Sequence, residues 1–207
     1  MPETPTQKPC TAGDGIVAGS LARPRLPGKR IALLAETGVH EHEFWVPYYR
    51  FREEGASVVV CGARKGAIYQ GEGRHGQDGL DLACTDATFG DVGPENLDAL
   101  VIPGGIYGPL ALRANSDVLD LVRAMNRRRK VIGAICHGQW VMVSADILRG
   151  RTATSPGDIA VDLRNAGADW VDQEAVRDGN LITAVYFGYL PAFLRLLIEA
   201  IEEDRPS

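Results

Sequence analysis

A chain of 207 residues, 45% of them apolar, is long enough to form one folded domain with a full core and needs no staples. Its formal net charge of −5 argues against a nucleic-acid partner or an anionic membrane surface, and no run of about 18 apolar residues offers a spanning helix. The N-terminus lacks a signal peptide's apolar segment, and the four cysteines (Cys10, Cys61, Cys84, Cys136) show no C-x-x-C or Cys/His ligand spacing, so a cytoplasmic protein with reduced thiols is expected.

Residues 1–28 are rich in Pro, Thr, Ala and Gly and show no periodicity. They read as a flexible or draped tail, followed by a single domain over 29–207. Ile31 to Ala35 reads as a buried strand. His42 to Glu54 reads as a helix, with Pro47 tolerable only near its start and Gly55 as its stop. Ser57 to Gly62 is a second strand, with Cys61 a buried core thiol. Gly71 to Gly79 is loop-like, and Leu80 to Phe89 holds a short edge strand. Leu97 to Ile102 is a buried strand ended by Pro103-Gly104-Gly105. Asp117 to Arg128 is an amphipathic helix with Val118, Leu121, Val122 and Met125 on one face; the basic run Arg127 to Lys130 is its solvated end. Val131 to Ile135 is a strand and Gly138 to Leu148 a helix. Further short segments carry the alternation to a closing helix over Tyr189 to Glu203. Continuous apolar strands separated by helices imply an α/β fold, a mostly parallel sheet with helices on both faces. Such sheets bind ligands beyond the carboxyl ends of their strands.

Three strand ends carry chemistry. In Ala134-Ile135-Cys136-His137-Gly138 an apolar strand runs into a cysteine just before a helix. This is the pattern of a nucleophile elbow, and the helix N-terminus favours a thiolate. A small buried residue closing a strand is the alternative. After Val101-Ile102-Pro103, the N–H groups of Gly104 and Gly105, with that of His137, are candidates for an oxyanion hole; a plain turn is the alternative. The third end, Glu36 to Glu43, is acidic and imidazole-rich. His40 and His42 stand two apart and diverge on a helix, so no metal and no cofactor is expected. One carboxylate there is expected to face Cys136.

Together these segments resemble the PfpI intracellular-protease family, whose wider superfamily includes the Parkinsonism-associated protein deglycase and the class I glutamine amidotransferases. The matches run in order: Glu43 with Phe44-Trp45-Val46-Pro47, Arg50 to Gly55, His75-Gly76, Asp98 to Gly105, Ala134 to Gly138, and Asn165 to Ala168. The resemblance implies a flavodoxin-like three-layer sandwich. It implies Cys136 as nucleophile, His137 beside it, Glu43 touching the thiol, and a homodimer or higher homo-oligomer. The sequence departs from the family in two places. The family's proteases carry a glutamate just after the Gly-Gly, which reaches a neighbouring chain's histidine; here Ile106 to Leu110 holds no acid. His137 is therefore expected to lack an orienting carboxylate and the chain to be a poor peptidase. Near the last helix, relatives place an arginine and an aspartate where this chain reads Val185-Tyr186-Phe187. His40, Trp45, Tyr107 and Tyr186 are expected to line a small-molecule pocket, with core packing as the alternative for the aromatics.

The leading expectation is a cysteine-dependent enzyme of hydrolase, hydratase or lyase type acting on a small electrophile. The alternatives are a protease, deglycase or glyoxalase-like activity, and a redox-sensing or chaperone-like protein without turnover.

Overall fold

The computed structural model describes residues 23–73 and 78–204. The His75-Gly76 match, Cys10 and most of the N-terminal segment lie outside them. Five parallel strands form the middle of the fold. They are β1 (Arg30–Leu34), β2 (Ser57–Gly62), β4 (Ala99–Ile102), β5 (Val131–Ile135) and β9 (Leu181–Ala184). The two-residue β3 (Ala87–Thr88) adds one edge. β8 (Ala175–Asp178) adds the other and is the one antiparallel neighbour. The seven-stranded order is β3-β2-β1-β4-β5-β9-β8; β6 (Thr152–Ala153) and β7 (Asp169–Trp170) pair separately. Because the middle strands are covered on both faces, they are apolar throughout: every residue of β4 and β5 is buried.

Helices α1 (Glu41–Glu53) and α6 (Leu190–Glu203) pack together on one face. On the other lie α2 (Tyr107–Ala114), α3 (Ser116–Arg127), α4 (Gln139–Ser144) and α5 (Ala160–Asn165). The result is the expected three-layer sandwich. α3 buries Val118, Leu121, Val122 and Met125, the face its 3.6-residue period marks.

Several expectations need correction. Pro47 sits inside α1, in its second turn. The segment Gly138 to Leu148 contributes only the six residues of α4 after a 3-10 turn. The edge strand expected over 80–89 shrinks to β3. The folded region also begins before Lys29. Leu26 is fully buried with its N–H on the Glu54 carbonyl (2.8 Å), and Arg25 pairs with Glu202. Cys84 is disulfide-bonded, against the reduced thiols expected. Among the described residues no helix is long and apolar enough to cross a membrane.

Candidate active site

The site is built where β1, β4 and β5 end. β5 runs fully buried to Ile135, and Cys136 then turns the chain with φ +58° into the 3-10 turn Cys136–Gly138 that leads to α4. The left-handed region is unfavourable for a side chain with a Cβ, so this turn holds strain, and it lifts the thiol out of the sheet. Cys136 is partly exposed, whereas Cys61 lies fully buried inside β2 with its thiol on the Val59 carbonyl.

Glu43 comes from the first turn of α1 and is fully buried. Its Oε2 accepts the Gly104 N–H at 2.9 Å. Gly104 makes the arrangement possible: a Cβ at that position would overlap both the Cys136 Cβ and Glu43 Oε2. The carboxyl and the cysteine therefore flank one glycine. Glu43 Oε1 is buried with no hydrogen-bond partner among the described residues, and the carboxyl as a whole feels the Phe187 N–H and the Cys136 thiol. Burial pushes the Glu43 carboxyl from 4.5 up to about 8, against the opposing pull of the Gly104 N–H. At neutral pH this group is an uncharged acid.

The Cys136 thiol is also pushed up, to about 12, first by burial and then by the charge Glu43 would carry; the N–H groups of Gly105 and His137 pull it down. This runs against the expectation of a thiolate favoured by a helix N-terminus, because burial outweighs the pull of the N–H groups that face the sulfur. The resting thiol keeps its proton and needs a base. His137 Nδ1 lies 3.2 Å from the sulfur. On the other side of the ring, His137 Nε2 lies 3.0 Å from Asp158 Oδ2. The ring is buried and packs on Trp140, whose indole N–H donates to Asp162 at 2.8 Å. His137 therefore does have a carboxylate, and the expectation that it lacks one is overturned.

The other site residues divide. Gly105 keeps its N–H toward the sulfur, but Gly104 gives its N–H to Glu43 and not to an oxyanion. The His40 ring stacks on Phe187 (4.9 Å between centroids), and Tyr186 meets the same Phe187 edge-on (5.3 Å). Trp45 does not join them; it sits in a separate aromatic row with Phe44, Tyr48 and Tyr49 along α1. Tyr107 is 71% exposed, because α2 turns it to solvent. Two acids escaped the sequence reading. Asp158 follows Pro156-Gly157 in the single 3-10 turn Gly157–Ile159, too short for any period to mark it. Glu72 accepts the Ile106 N–H at 3.1 Å, and its charge bears on both Glu43 and Cys136. The available signals were the Pro156-Gly157 turn pair ahead of Asp158 and the glycines that flank Glu72.

Known proteins share this architecture. Residues 29–200 match the model of the DJ-1/PfpI family. Deglycase PfpI of Pyrococcus furiosus is 35% identical over 173 residues, which are 84% of this chain and 99% of that protein. Drosophila melanogaster DJ-1beta superposes with a TM-score of 0.74 at 28% identity, over 84% of this chain and 94% of that one. A two-domain protein of Anabaena variabilis with DJ-1/ThiJ/PfpI-like and ferritin-like domains has a TM-score of 0.76 at 34% identity. The alignment covers 86% of this chain but 52% of that longer one. With its fold and its residues 29–200 both matched, the chain belongs to the DJ-1/PfpI family.

Proposed function

We propose that this chain is a cysteine-dependent enzyme acting on a small electrophilic substrate, of hydrolase or lyase type, with Cys136 as nucleophile. One observation carries the reading: a thiol raised on a left-handed turn, with an imidazole nitrogen 3.2 Å from the sulfur and a buried neutral acid beside it. As the sulfur adds to a carbonyl or related carbon, its proton passes to His137 Nδ1 and the S–C bond forms. The electron pair of the double bond moves onto the substrate oxygen or nitrogen. Glu43, protonated at neutral pH, donates a hydrogen bond to the sulfur or supplies a proton to the developing anion. Relatives named deglycase favour a carbonyl-derived adduct of an amine or thiol as substrate. The Phe187 backbone N–H reaches Glu43, and its ring carries His40 and Tyr186 against it, so an apolar surface beside the carboxyl favours a small substrate. The acid missing from residues 106–110 no longer argues against peptidase chemistry, so substrate size is the remaining argument against it.

The test is turnover with methylglyoxal adducts of N-acetylcysteine and N-acetyllysine, beside denatured casein, for the wild-type chain and Cys136→Ala. Release of the free thiol or amine by the wild type, lost in the variant, is expected. Equal rates for the two proteins on the adducts, or efficient casein cleavage lost in the variant, would overturn the reading.

A further inference from the structure

We propose that the groove between α1 and α6 is a subsite for the non-reacting part of the substrate, and that this part is an apolar chain ending in an anionic group. The inference rests on Cys136 being the nucleophile. α1 follows β1 and α6 follows β9, two strands of the parallel run, so both helices start at the site and lead away from it side by side. Between them lies an open cavity of about 750 Å³. His42, Val46 and Arg50, on successive turns of α1, form one wall. Leu190, Leu194 and Ile198 of α6, all buried, line its depth. Pro191, Arg195 and Glu199 stand one residue further round the same helix. Each row spans eight residues of helix, so the groove is about 12 Å long.

Phe187 joins the groove to the site. It lines the groove, its ring stacks on His40, and its N–H reaches the Glu43 carboxyl. The end of the groove nearest Cys136 is apolar. Phe187 and Val46 are 38% and 39% exposed there, large side chains that a bound chain would cover. Charge enters further along. Arg25 pairs with Glu202 at 2.6 Å and also feels Glu54 and Glu199. Arg50 pairs with Glu54 at 2.6 Å. Glu199, the one acid of the lining, acts on Arg25 and on Arg177. Arg195 is left over: among the described residues its side chain makes no ion pair and no hydrogen bond. A molecule that runs from Cys136 along the groove therefore meets apolar side chains first and then an unanswered guanidinium, whose complement is a carboxylate or a similar anion.

The experiment is affinity labelling and needs no turnover. Iodoacetamidohexanoate and its uncharged counterpart iodoacetamidohexanamide carry the same chain on the same reacting carbon. Each alkylates Cys136 by forming the S–C bond and expelling iodide, while the thiol proton passes to His137. Rates are read by peptide mass spectrometry against reagent concentration, each relative to plain iodoacetamide on the same protein. The proteins are the wild type, Arg195→Glu, Arg195→Lys and Arg128→Glu. The expected result for the wild type is saturable labelling, about threefold to fivefold faster with the carboxylate than with the amide, the effect of one partly exposed ion pair. The preference should vanish or reverse in Arg195→Glu and persist in Arg195→Lys. Arg128→Glu makes the same change of net charge on exposed surface just past α3, on the other face of the sheet, and should keep the preference. Equal wild-type rates for the two reagents would overturn the proposal. So would a preference that Arg195→Glu and Arg128→Glu weaken alike, which would mark the charge of the whole molecule and not the groove. Equal rates together with a dimer that Arg195→Glu dissociates would show a second copy filling the groove, and would also overturn it. If Cys136 proves not to be the nucleophile, turnover survives in Cys136→Ala while the labelling preference stands. If the groove is not the subsite, turnover is lost in Cys136→Ala while the two reagents label alike, so the two failures are distinguishable.

Discussion

Gly104 carries more of the site than its size suggests. Its N–H fixes the Glu43 carboxyl, its carbonyl accepts the His40 N–H at 3.0 Å, and its missing side chain is the space in which Cys136 and Glu43 meet. The atoms a Cβ would strike belong to a buried carboxyl, a strained turn and the Ile135 carbonyl 2.8 Å away, none of which can swing aside. Gly104→Ala should therefore cost about 1–3 kcal/mol of stability by overpacking and lower the Cys136 alkylation rate. Thermal denaturation and peptide-resolved labelling measure the two effects; an unchanged melting point with unchanged labelling would contradict the account. At this scale the sequence is readable where chemistry is local. Cys136, His137 and the glycine pair announce themselves because a strand, a tight turn and a helix start are adjacent in the chain. Asp158 does not, because its meeting with His137 depends on how the loop after β6 docks on α4, and no spacing encodes that docking.

Elements were legible in proportion to their periodicity. α3 and α6 present clear apolar faces, and the closing helix was expected within a residue of where it starts and ends. α2 had no such signal: its short sequence begins Tyr107-Gly108-Pro109, which reads as a turn. The antiparallel β8 was hidden for another reason. Its four residues, Ala175-Val176-Arg177-Asp178, show no apolar alternation, and the turn at Gly179-Asn180 decides the direction of pairing. Pro47 forgoes the helical N–H that would reach the Glu43 carbonyl, and α1 tolerates this because Phe44, Pro47 and Phe51 are all buried beneath it. The seating of α6 on the sheet is tighter still. A Cβ on Gly133 of β5 would lie 2.8 Å from Leu197 Cδ2 and 2.9 Å from Phe193 Cζ. Gly133→Val should push α6 outward and lower the melting temperature by several degrees, about 2–4 °C for each kcal/mol lost in a chain of this size. A Val variant as stable as the wild type would show that α6 is not seated on β5 in this way.

At the scale of the whole molecule, one topological fact locates the site. The chain builds outward from β1 through β2 to β3, then returns to lay β4, β5 and β9 on β1's other side. The loops leaving β1 and β4 part in opposite directions, and the crevice between them is where open parallel sheets take ligands. Glu43 enters it from the helix after β1, and Gly104 and Cys136 from the ends of β4 and β5. Placing an acid in that crevice has a global consequence for stability. Below pH 4.5 Glu43 is protonated whether the chain is folded or not, and its burial costs nothing through titration. Between 4.5 and about 8 the unfolded chain releases the proton while the folded chain keeps it, so stability falls as pH rises. Above about 8 the loss is complete. The slope from this one group approaches 1.4 kcal/mol per pH unit inside the window, for a total on the order of a few kcal/mol. Acids held below their usual range, such as Glu41 with its backbone N–H partners, act with the opposite sign at lower pH, and the burial-raised thiols of Cys61 and Cys136 act only above 9. Comparison with Glu43→Gln removes these shared contributions. The glutamine carries a fixed, pH-independent cost, so the difference in urea unfolding free energy between variant and wild type should shift steadily in the variant's favour from pH 4.5 to 8 and be flat on either side. Parallel stability profiles for the two proteins across that range would mean that Glu43 ionises in the folded state as it does in water, and the neutral acid beside Cys136 would have to be abandoned.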